Sequence, residues 1–192
     1  MLDIKTIEIA GILSAVEALR LPFGKECRSQ TVYDDSWVKE VIPNFQSDVR
    51  VFFDDRDLTL MSTLIKRGDE HAKVLRGIIA YAEINAPRFW WVEMDTYRIG
   101  SERLSSESTM HIQGRGMSTE ELVKMKSELT EGTMQKRIQY FSYQSLRRIY
   151  QQRRNHRLPH WHIFCDWIKT LPFADELILI GLDDCDGKED KR

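Results

Sequence analysis

The stretch INAPRFWWVEMDTYRIGSERLSSESTMH, from Ile84 to His111, is informative because it changes from apolar to polar residues halfway along. The first half is apolar and includes the adjacent Trp90 and Trp91, whereas the second half carries Arg98 and a run of serines. A core helix does not need so many hydroxyl groups, and a surface loop does not need two tryptophans. The two halves therefore predict a packed element followed directly by a polar, functional one.

The apolar half predicts a short helix. Asn85 is a candidate cap, and Pro87 suits the first helical turn. The predicted apolar face of this helix consists of Trp90, Met94 and Tyr97, with Trp91 flanking it. The helix should end at Gly100, which leaves Ser101 to His111 as a hydroxyl-rich connection.

The rest of the chain predicts an α-rich α/β or α+β domain. The branched and aromatic residues of Ile78 to Ile84 favour a strand, and the first ten residues alternate as a second strand would. Apolar residues recur at helical spacing near residues 11–22, 57–68, 118–132, 143–156 and 159–172, and Ser118 with Glu121 predicts a capping box at the start of the third segment. We predict one domain over residues 1–182 and a disordered polar tail over 183–192, which has too few apolar residues to fold.

Composition excludes several classes of protein. The net charge of −2 provides no global field for nucleic acid, so nucleic-acid binding is not expected. No apolar run reaches the roughly 20 residues of a membrane span, so we expect no membrane association. Cys27, Cys165 and Cys185 are odd in number and widely spaced, which indicates reduced thiols in a cytoplasmic protein. The sequence has no paired-cysteine or HExxH pattern, so no metal site is expected, and it lacks a P-loop and a GxSxG elbow.

Two segments carry candidate binding residues. Arg98 and the serines after it provide the guanidinium and hydroxyl groups that bind an anionic nucleotide, although serines also cap and turn chains. Six arginines or histidines fall between Arg147 and Arg157, which is denser than a solvated helix face requires. His71 stands alone, and a lone histidine is more often a surface residue than a ligand.

Two motifs resemble the flavin-dependent thymidylate synthases. HAKVLRGIIAYAEINAPRFWWVEMDTYRIGS, starting at His71, is similar to that family's central segment, in which a histidine, a strand and an Ala-Pro precede an Arg-His-Arg helix end. IYQQRRNHRLPHWHIF, starting at Ile149, resembles the C-terminal segment, in which a helix arginine precedes a Gln-Trp-Glu-Ile run. The hallmarks RLP, STMH and RNHRLPHWHIFCDWIKTLP resemble a divergent branch carried by phages and prophages.

The resemblance implies a mixed sheet flanked by helices, assembled as a homotetramer that binds FAD between subunits. It implies that a pyrimidine nucleotide, dUMP in the family, stacks on the flavin, with NADPH and methylenetetrahydrofolate as co-substrates. The implied reaction methylates, or otherwise adds one carbon to, a deoxyuridylate-type nucleotide. If the chain is phage-encoded, the implied location is the host cytoplasm.

The resemblance also assigns roles to individual residues. It implies cofactor binding by His71, Arg98 and Ser101. It places Ser105, Ser106 and Glu107 near the substrate nucleotide. It makes Arg153 the helix arginine that binds and polarises the pyrimidine ring, which is the catalytic role. From these matches we expect Arg98 and Arg153 to converge on one anionic ligand.

The sequence also departs from the family pattern. Thr96 and Tyr97 replace the first arginine and the histidine of the Arg-His-Arg motif, and Leu104 stands in place of a glutamate. Ser142 and Gln144 occupy the positions of an Asn-x-Arg pair. An alternative to the enzyme is therefore a catalytically inactive phage descendant of the fold that binds a nucleotide or a host protein.

Overall fold

The structure is a computed structural model, and it describes residues 1–24, 32–34 and 50–182. Its strands are β1 (Asp3–Ala10), β2 (Val32–Asp34), β3 (Arg50–Phe52), β4 (Ile79–Pro87), β5 (Ser101–Ser106) and β6 (Met134–Ser142). Its α-helices are α1 (Ile12–Arg20), α2 (Asp55–Lys66), α3 (Arg88–Met94), α4 (Thr109–Ile112), α5 (Thr119–Glu128), α6 (Tyr143–Arg153) and α7 (Pro159–Lys169). Short 3₁₀ turns lie at Leu21–Phe23 and Lys73–Arg76, and a π-helical turn lies at Ala174–Leu179.

The main sheet has the strand order β1-β4-β6-β5, and β2 pairs with β3 in a separate ribbon. The predicted α+β class is confirmed. Within the described residues the sheet is antiparallel throughout, and not mixed as the resemblance implied. The predicted helices at α1, α2, α5, α6 and α7 are present, and α5 begins with the predicted capping box of Ser118 and Glu121. The predicted tail 183–192 lies outside the described residues.

One face of the sheet is covered by aromatic rings from α3 and α7. The buried positions of β4 are mostly small, which leaves room for large rings; they are Ala80, Ala82, Ile84 and Ala86. Phe141 of β6 packs against Phe164 of α7 with ring centroids 5.6 Å apart. Trp90 of α3 packs against Trp161 of α7 with centroids 5.0 Å apart. This packing fixes α3, and therefore the turn that follows it, against the sheet.

The start of α3 differs from the prediction. Asn85 is not a cap, because it pairs with Asp3 and Lys136 inside the sheet, and β4 continues to Pro87. Pro87 is the residue before the helix and has extended backbone angles. The first helical amides, those of Arg88 and Phe89, donate to carbonyl oxygens in the loop before β6, so no side-chain cap is needed.

The end of α3 and the segment after it were also predicted wrongly. The helix ends at Met94, so Tyr97 is not part of it. Ser101 to Ser106 form β5 at the edge of the sheet, where a connection was predicted. Strand β6 was not predicted. Its buried positions include Arg137 and Gln139, and these polar residues break the hydrophobic alternation that marks a strand. These errors all fall next to the polar segment that the sequence marked as functional.

Gly100 joins the turn after α3 to the start of α6. Its φ of 73° lies in the left-handed region, which favours glycine. Its carbonyl oxygen accepts a hydrogen bond from the amide of Ser142 at 2.6 Å. The Ser142 hydroxyl in turn accepts from the amide of Ser145 and caps α6. A Cβ at position 100 would overlap the Ser142 hydroxyl oxygen.

We predict that Gly100→Ala lowers the free energy of unfolding by about 2–4 kcal/mol, because strained backbone and a displaced helix cap add together. Gly116→Ala is the matched control, since Gly116 has a φ of 86° but nothing within 4 Å of the added Cβ. This control should cost only the backbone strain of about 1–2 kcal/mol. Urea unfolding followed by circular dichroism measures both variants, and equal losses would contradict the close approach to Ser142.

Candidate functional site

A polar cleft lies between the turn after α3 and the β5–β6 edge of the sheet. Its volume is about 460 Å³. The residues that line it come from the turn and from both strands: Asp95, Tyr97, Arg98, Ser101, Glu102, Arg103, Gln139 and Tyr140. Because α3 is locked by its tryptophans and β6 is an inner strand of the sheet, this cleft is built on rigid elements.

Two arginines of the cleft have no acidic partner in the part of the chain that the structure describes. Arg98 is exposed and makes only a long 3.4 Å hydrogen bond to the carbonyl oxygen of Asp95. Arg103 is also exposed and pairs with no carboxylate among those residues. The cleft's Glu102 already accepts a hydrogen bond from the Tyr140 hydroxyl at 3.1 Å. The cleft thus presents two guanidinium groups that remain available to an anion.

A third arginine stabilises the wall of the cleft. Arg137 of β6 is buried, bonds to the Asp95 carboxylate at 2.7 Å and stacks 4.2 Å above the Trp91 ring. Its pKa is lowered mainly by burial, whereas Asp95 raises it and the nearby positive charge of Arg103 lowers it further. Asp95 therefore neutralises Arg137, and Arg103 forms no ion pair among the described residues.

The floor of the cleft contains a buried hydrogen-bonded pair. Gln139 of β6 donates from Nε2 to the hydroxyl oxygen of Ser101 at 2.7 Å. Both side chains are buried. The carbonyl oxygen Oε1 of Gln139 is buried without a hydrogen-bond partner among the described residues. Ser101, which the sequence predicted as a cofactor-binding residue, therefore lines the cleft together with a residue that the sequence analysis missed.

Arg153 lies at the end of α6 and is held by protein groups. Its Nη1 donates to Glu93 at 2.9 Å, and its Nε donates to the Tyr97 hydroxyl at 2.7 Å. Its guanidinium also stacks 4.5 Å above the Trp161 ring. Arg153 does not line the cleft, but it bonds to Tyr97, which does and which directly precedes Arg98. The predicted convergence of Arg98 and Arg153 on one ligand stays a prediction.

Glu93 is the acceptor at the centre of this second cluster. Besides Arg153, it accepts a hydrogen bond from Trp161 Nε1 at 2.8 Å, and His156 Nε2 lies 3.7 Å away. The carboxylate thus connects α3 to the end of α6 and to the start of α7. The sequence analysis did not single out Glu93, because an acid within an aromatic helix has no motif of its own.

The other predicted site residues lie outside the cleft lining. His71 sits in an exposed turn and lies 3.6 Å from Glu70. Ser105 and Ser106 lie farther along β5, opposite Ile138 and Arg137, beyond an irregularity in the strand pairing at Leu104. The Glu107 carboxylate accepts from the backbone amide of Lys136 at 3.1 Å and so closes the strand pair.

Two positions that differ from the family pattern have structural roles here. Ser142 caps α6, as described above. Gln144 accepts a hydrogen bond from Arg76 at 2.8 Å and donates to the carbonyl oxygen of Asp69 at 3.2 Å. Gln144 therefore anchors the turn that carries His71 to α6, although it is neutral where the family pattern has an arginine.

A cysteine nucleophile, a metal-binding cluster and a membrane-spanning helix were also considered for the part of the chain that the structure describes. Cys165 is buried and free, and burial raises its pKa to about 12, so it is no activated nucleophile. No group of acids, histidines and cysteines among those residues could hold a metal ion. Within the same ranges, no helix is both long and apolar enough to cross a bilayer.

Solved structures share this fold. The sequence matches neither a family model nor a curated protein. In three dimensions, the chain has the fold of the flavin-dependent thymidylate synthases. One similar structure is thymidylate synthase X (ThyX) from Helicobacter pylori with FAD and dUMP, at a TM-score of 0.64 and 11% identity over 95% of this chain and 99% of that one. A second structure of ThyX from Helicobacter pylori, complexed with FAD and dUMP, gives a TM-score of 0.62 at 12% identity, with the same coverage of both chains.

A related methylase is also similar. The UMP/dUMP methylase PolB from Streptomyces cacaoi, bound with 5-Br dUMP, gives a TM-score of 0.60 at 12% identity over 95% of this chain and 94% of that one. At such low identity the likeness establishes the fold, and the site must be argued from this chain's own residues.

We predict that Glu93→Ala lowers the free energy of unfolding by about 2–3 kcal/mol, because a half-buried guanidinium and an indole N–H both lose their acceptor. Asp166→Ala is the control, since it removes an exposed ion pair with Lys169 that contributes less than about 1 kcal/mol. Chemical unfolding of the two variants checks this, and equal losses would show that Glu93 does not hold the cluster together.

Proposed function

We propose that this chain is an FAD-dependent thymidylate synthase-like enzyme that methylates, or otherwise adds one carbon to, a deoxyuridylate-type pyrimidine nucleotide. The observation that carries this proposal is the cleft, which combines Arg98 and Arg103, neither of which has an acidic partner among the described residues, with the buried Ser101 on the fold that ThyX uses. We further propose that the chain acts in the cytoplasm and belongs to the phage and prophage branch, which makes that the host cytoplasm.

The residues present fit an anionic cofactor or substrate. Arg98 and Arg103 would bind phosphate oxygens, because a guanidinium donates charge-assisted hydrogen bonds to them and neither group pairs with an acid in the part of the chain that the structure describes. Ser101 would add a hydroxyl contact, and Tyr97 a flat ring at the cleft wall. A bound FAD would supply the redox chemistry, with NADPH and methylenetetrahydrofolate as co-substrates.

The proposed catalytic role of Arg153 falls to those of its N–H groups that are not bonded to protein. Nε donates to Tyr97 and one N–H of Nη1 donates to Glu93, so among the described residues the second N–H of Nη1 and both of Nη2 are left to contact a ring. A guanidinium there would stabilise negative charge that develops on the pyrimidine. Its bonds to Glu93 and Tyr97 hold it in one orientation, which favours that role because less rotamer freedom is lost on binding.

The remaining residues that the resemblance assigns to ligand binding lie outside the cleft lining. His71 is proposed as a flavin contact, and Ser105, Ser106 and Glu107 as contacts to the nucleotide. None of them lines the cleft within this chain. A site formed between subunits, as the resemblance implies, would allow them to reach a ligand held by another copy.

The second candidate function is a catalytically inactive descendant that binds a nucleotide or a host protein. It is favoured by Thr96 and Tyr97, which are neutral where the family pattern has an arginine and a histidine. Incubation with dUMP, methylenetetrahydrofolate, NADPH and FAD separates the two candidates. Formation of dTMP, or of another one-carbon product detected by mass spectrometry, supports the enzyme, whereas binding without product supports the descendant.

We predict that the purified protein binds FAD, seen as a retained flavin absorbance, and dUMP, seen by titration calorimetry. Arg98→Ala and Arg103→Ala should each weaken the binding of at least one of these ligands by about tenfold or more, because each removes a charged hydrogen bond. Arg67→Ala is the control, since Arg67 is exposed at the end of α2 and outside the cleft. Unchanged affinities in both cleft variants would remove the cleft from the proposal.

We also propose a homo-oligomer, with a tetramer as the expected form. α4 and α5 bury no residue within the chain, yet Ile112 and Val123 are each 61% exposed. Leu104 on the edge strand is exposed as well. Apolar side chains exposed along one segment mark an interaction surface, and a second copy of the chain would cover them.

Light scattering after size-exclusion chromatography should therefore give four times the mass of the chain. Val123→Asp should shift the protein toward smaller species, because it places a charge in the contact. Lys126→Ala on the same helix should leave the assembly intact. A monomeric wild-type protein would contradict both the oligomer and a site shared between subunits.

A further inference from the structure

Gln139 has an unused hydrogen-bonding atom next to the cleft. It is only 3% exposed, and its Oε1 is buried without a partner among the described residues. Buried polar atoms are nearly always hydrogen-bonded, so an exception calls for an explanation. Two other such atoms occur in the same part of the chain, on Trp90 and His160, but neither residue lines the cleft.

The neighbour of this acceptor is a donor. Ser101 accepts the Gln139 Nε2 bond at 2.7 Å, and a hydroxyl that accepts one bond can still donate its own proton. Within the described residues, no acceptor takes that proton. The floor of the cleft therefore contains an acceptor and a donor side by side, the acceptor on the inner strand β6 and the donor on the edge strand β5.

We propose that Gln139 and Ser101 together recognise the –CO–NH– edge of a cyclic imide. The imide N–H would donate to Gln139 Oε1, and the adjacent ring carbonyl would accept from the Ser101 hydroxyl. This inference rests on the proposed function and deepens it, because it assigns the specificity for the ring to a residue that the family resemblance does not mark.

The position beside Gln139 and Ser101 suits a neutral imide better than an anion. A carbonyl acceptor repels a phosphate or carboxylate oxygen, so Gln139 does not suit the anionic end of a ligand. That end is matched by Arg98 and Arg103 of the same cleft, which have no acidic partner within the described ranges. In this proposal, Gln139 contacts the ring of the ligand, and the two arginines contact its phosphate.

Two ligands of the proposed reaction contain this imide edge. Uracil in a deoxyuridylate-type nucleotide has it at N3, and so does the pyrimidine part of the flavin in FAD. Cytosine does not, since its N3 is an acceptor. The shared chemistry is the imide N–H, and the experiment has to distinguish the two rings.

The test compares ligands that differ only at this N–H, by calorimetry on the full-length protein. One arm uses dUMP and N3-methyl-dUMP, and the other uses FAD and N3-methyl-FAD. For the ring that Gln139 contacts, the wild-type protein should bind the methylated ligand about tenfold more weakly or worse, because an unmade bond leaves the buried acceptor without a partner. The other pair should bind nearly equally.

Gln139→Leu then tests the residue itself. It removes the acceptor, so the ratio between unmethylated and methylated ligand should fall to about one. Arg103→Ala is the matched control, since it should weaken both ligands of a pair equally and leave the ratio unchanged. The wild-type comparison needs no variant and stays decisive if Gln139→Leu fails to fold.

Each outcome has a defined meaning. A large ratio that disappears in Gln139→Leu supports the assignment and identifies the ring. Binding of dUMP and FAD with no effect of methylation overturns the inference but leaves the proposed function intact. A ratio that persists in Gln139→Leu moves the recognition to another residue and also overturns the inference. Failure of both dUMP and FAD to bind removes the proposed function and the inference together.

Discussion

The Glu93 carboxylate is the contact on which the rest of the site depends. It accepts hydrogen bonds from Arg153 at the end of α6 and from Trp161 in the first turns of α7. These two donors arrive from different helices, and Glu93 itself lies on α3, so one acid fixes three helices relative to each other. Because Arg153 also bonds to Tyr97, the same contact sets the position of the cleft wall. Trp90 packs against Trp161, whose ring also stacks on the Arg153 guanidinium, and the ion pair itself stays partly exposed to solvent.

The inner face of the sheet has a polar end that stability alone does not explain. Along β6, Phe141 packs into the aromatic core, but Gln139 and Arg137 occupy the next inward positions. An apolar pair there would avoid the cost of desolvating a guanidinium and an amide. Arg137 recovers that cost through Asp95 and the Trp91 ring, whereas Gln139 Oε1 has no hydrogen-bond partner among the residues described. Local rules of folding are broken most often where a protein binds something, and here they are broken at the floor of the cleft.

The sequence predicted the elements whose chemistry and periodicity agree. The capping box of α5 and the apolar stripes of α6 and α7 follow local rules, and they were found. β6 was missed because inward Arg137 and Gln139 hide the alternation of a strand, and β5 was missed because edge strands need few apolar residues. Of the predicted site residues, Arg98 and Ser101, which residue type and the family resemblance singled out, line the cleft. No local pattern marks Gln139, Arg103 or Glu93, because their significance comes from partners distant in the chain. Strand pairing places Gln139 opposite Arg103, and helix packing surrounds Glu93.

In the proposed function, ligand binding and catalysis would depend on different arginines. Arg98 and Arg103 have no acidic partner among the described residues, so their full charge is available to a ligand, and their loss would be felt as affinity. Arg153 shares its charge with Glu93, so its field at a nearby ring is weaker than that of a free guanidinium, while its orientation is better defined. A descendant that only binds nucleotides needs the first pair and has no use for a precisely oriented third arginine. The elaborate fixation of Arg153 by an acid, a phenol and an indole ring is therefore the feature that favours an enzyme over a binding protein.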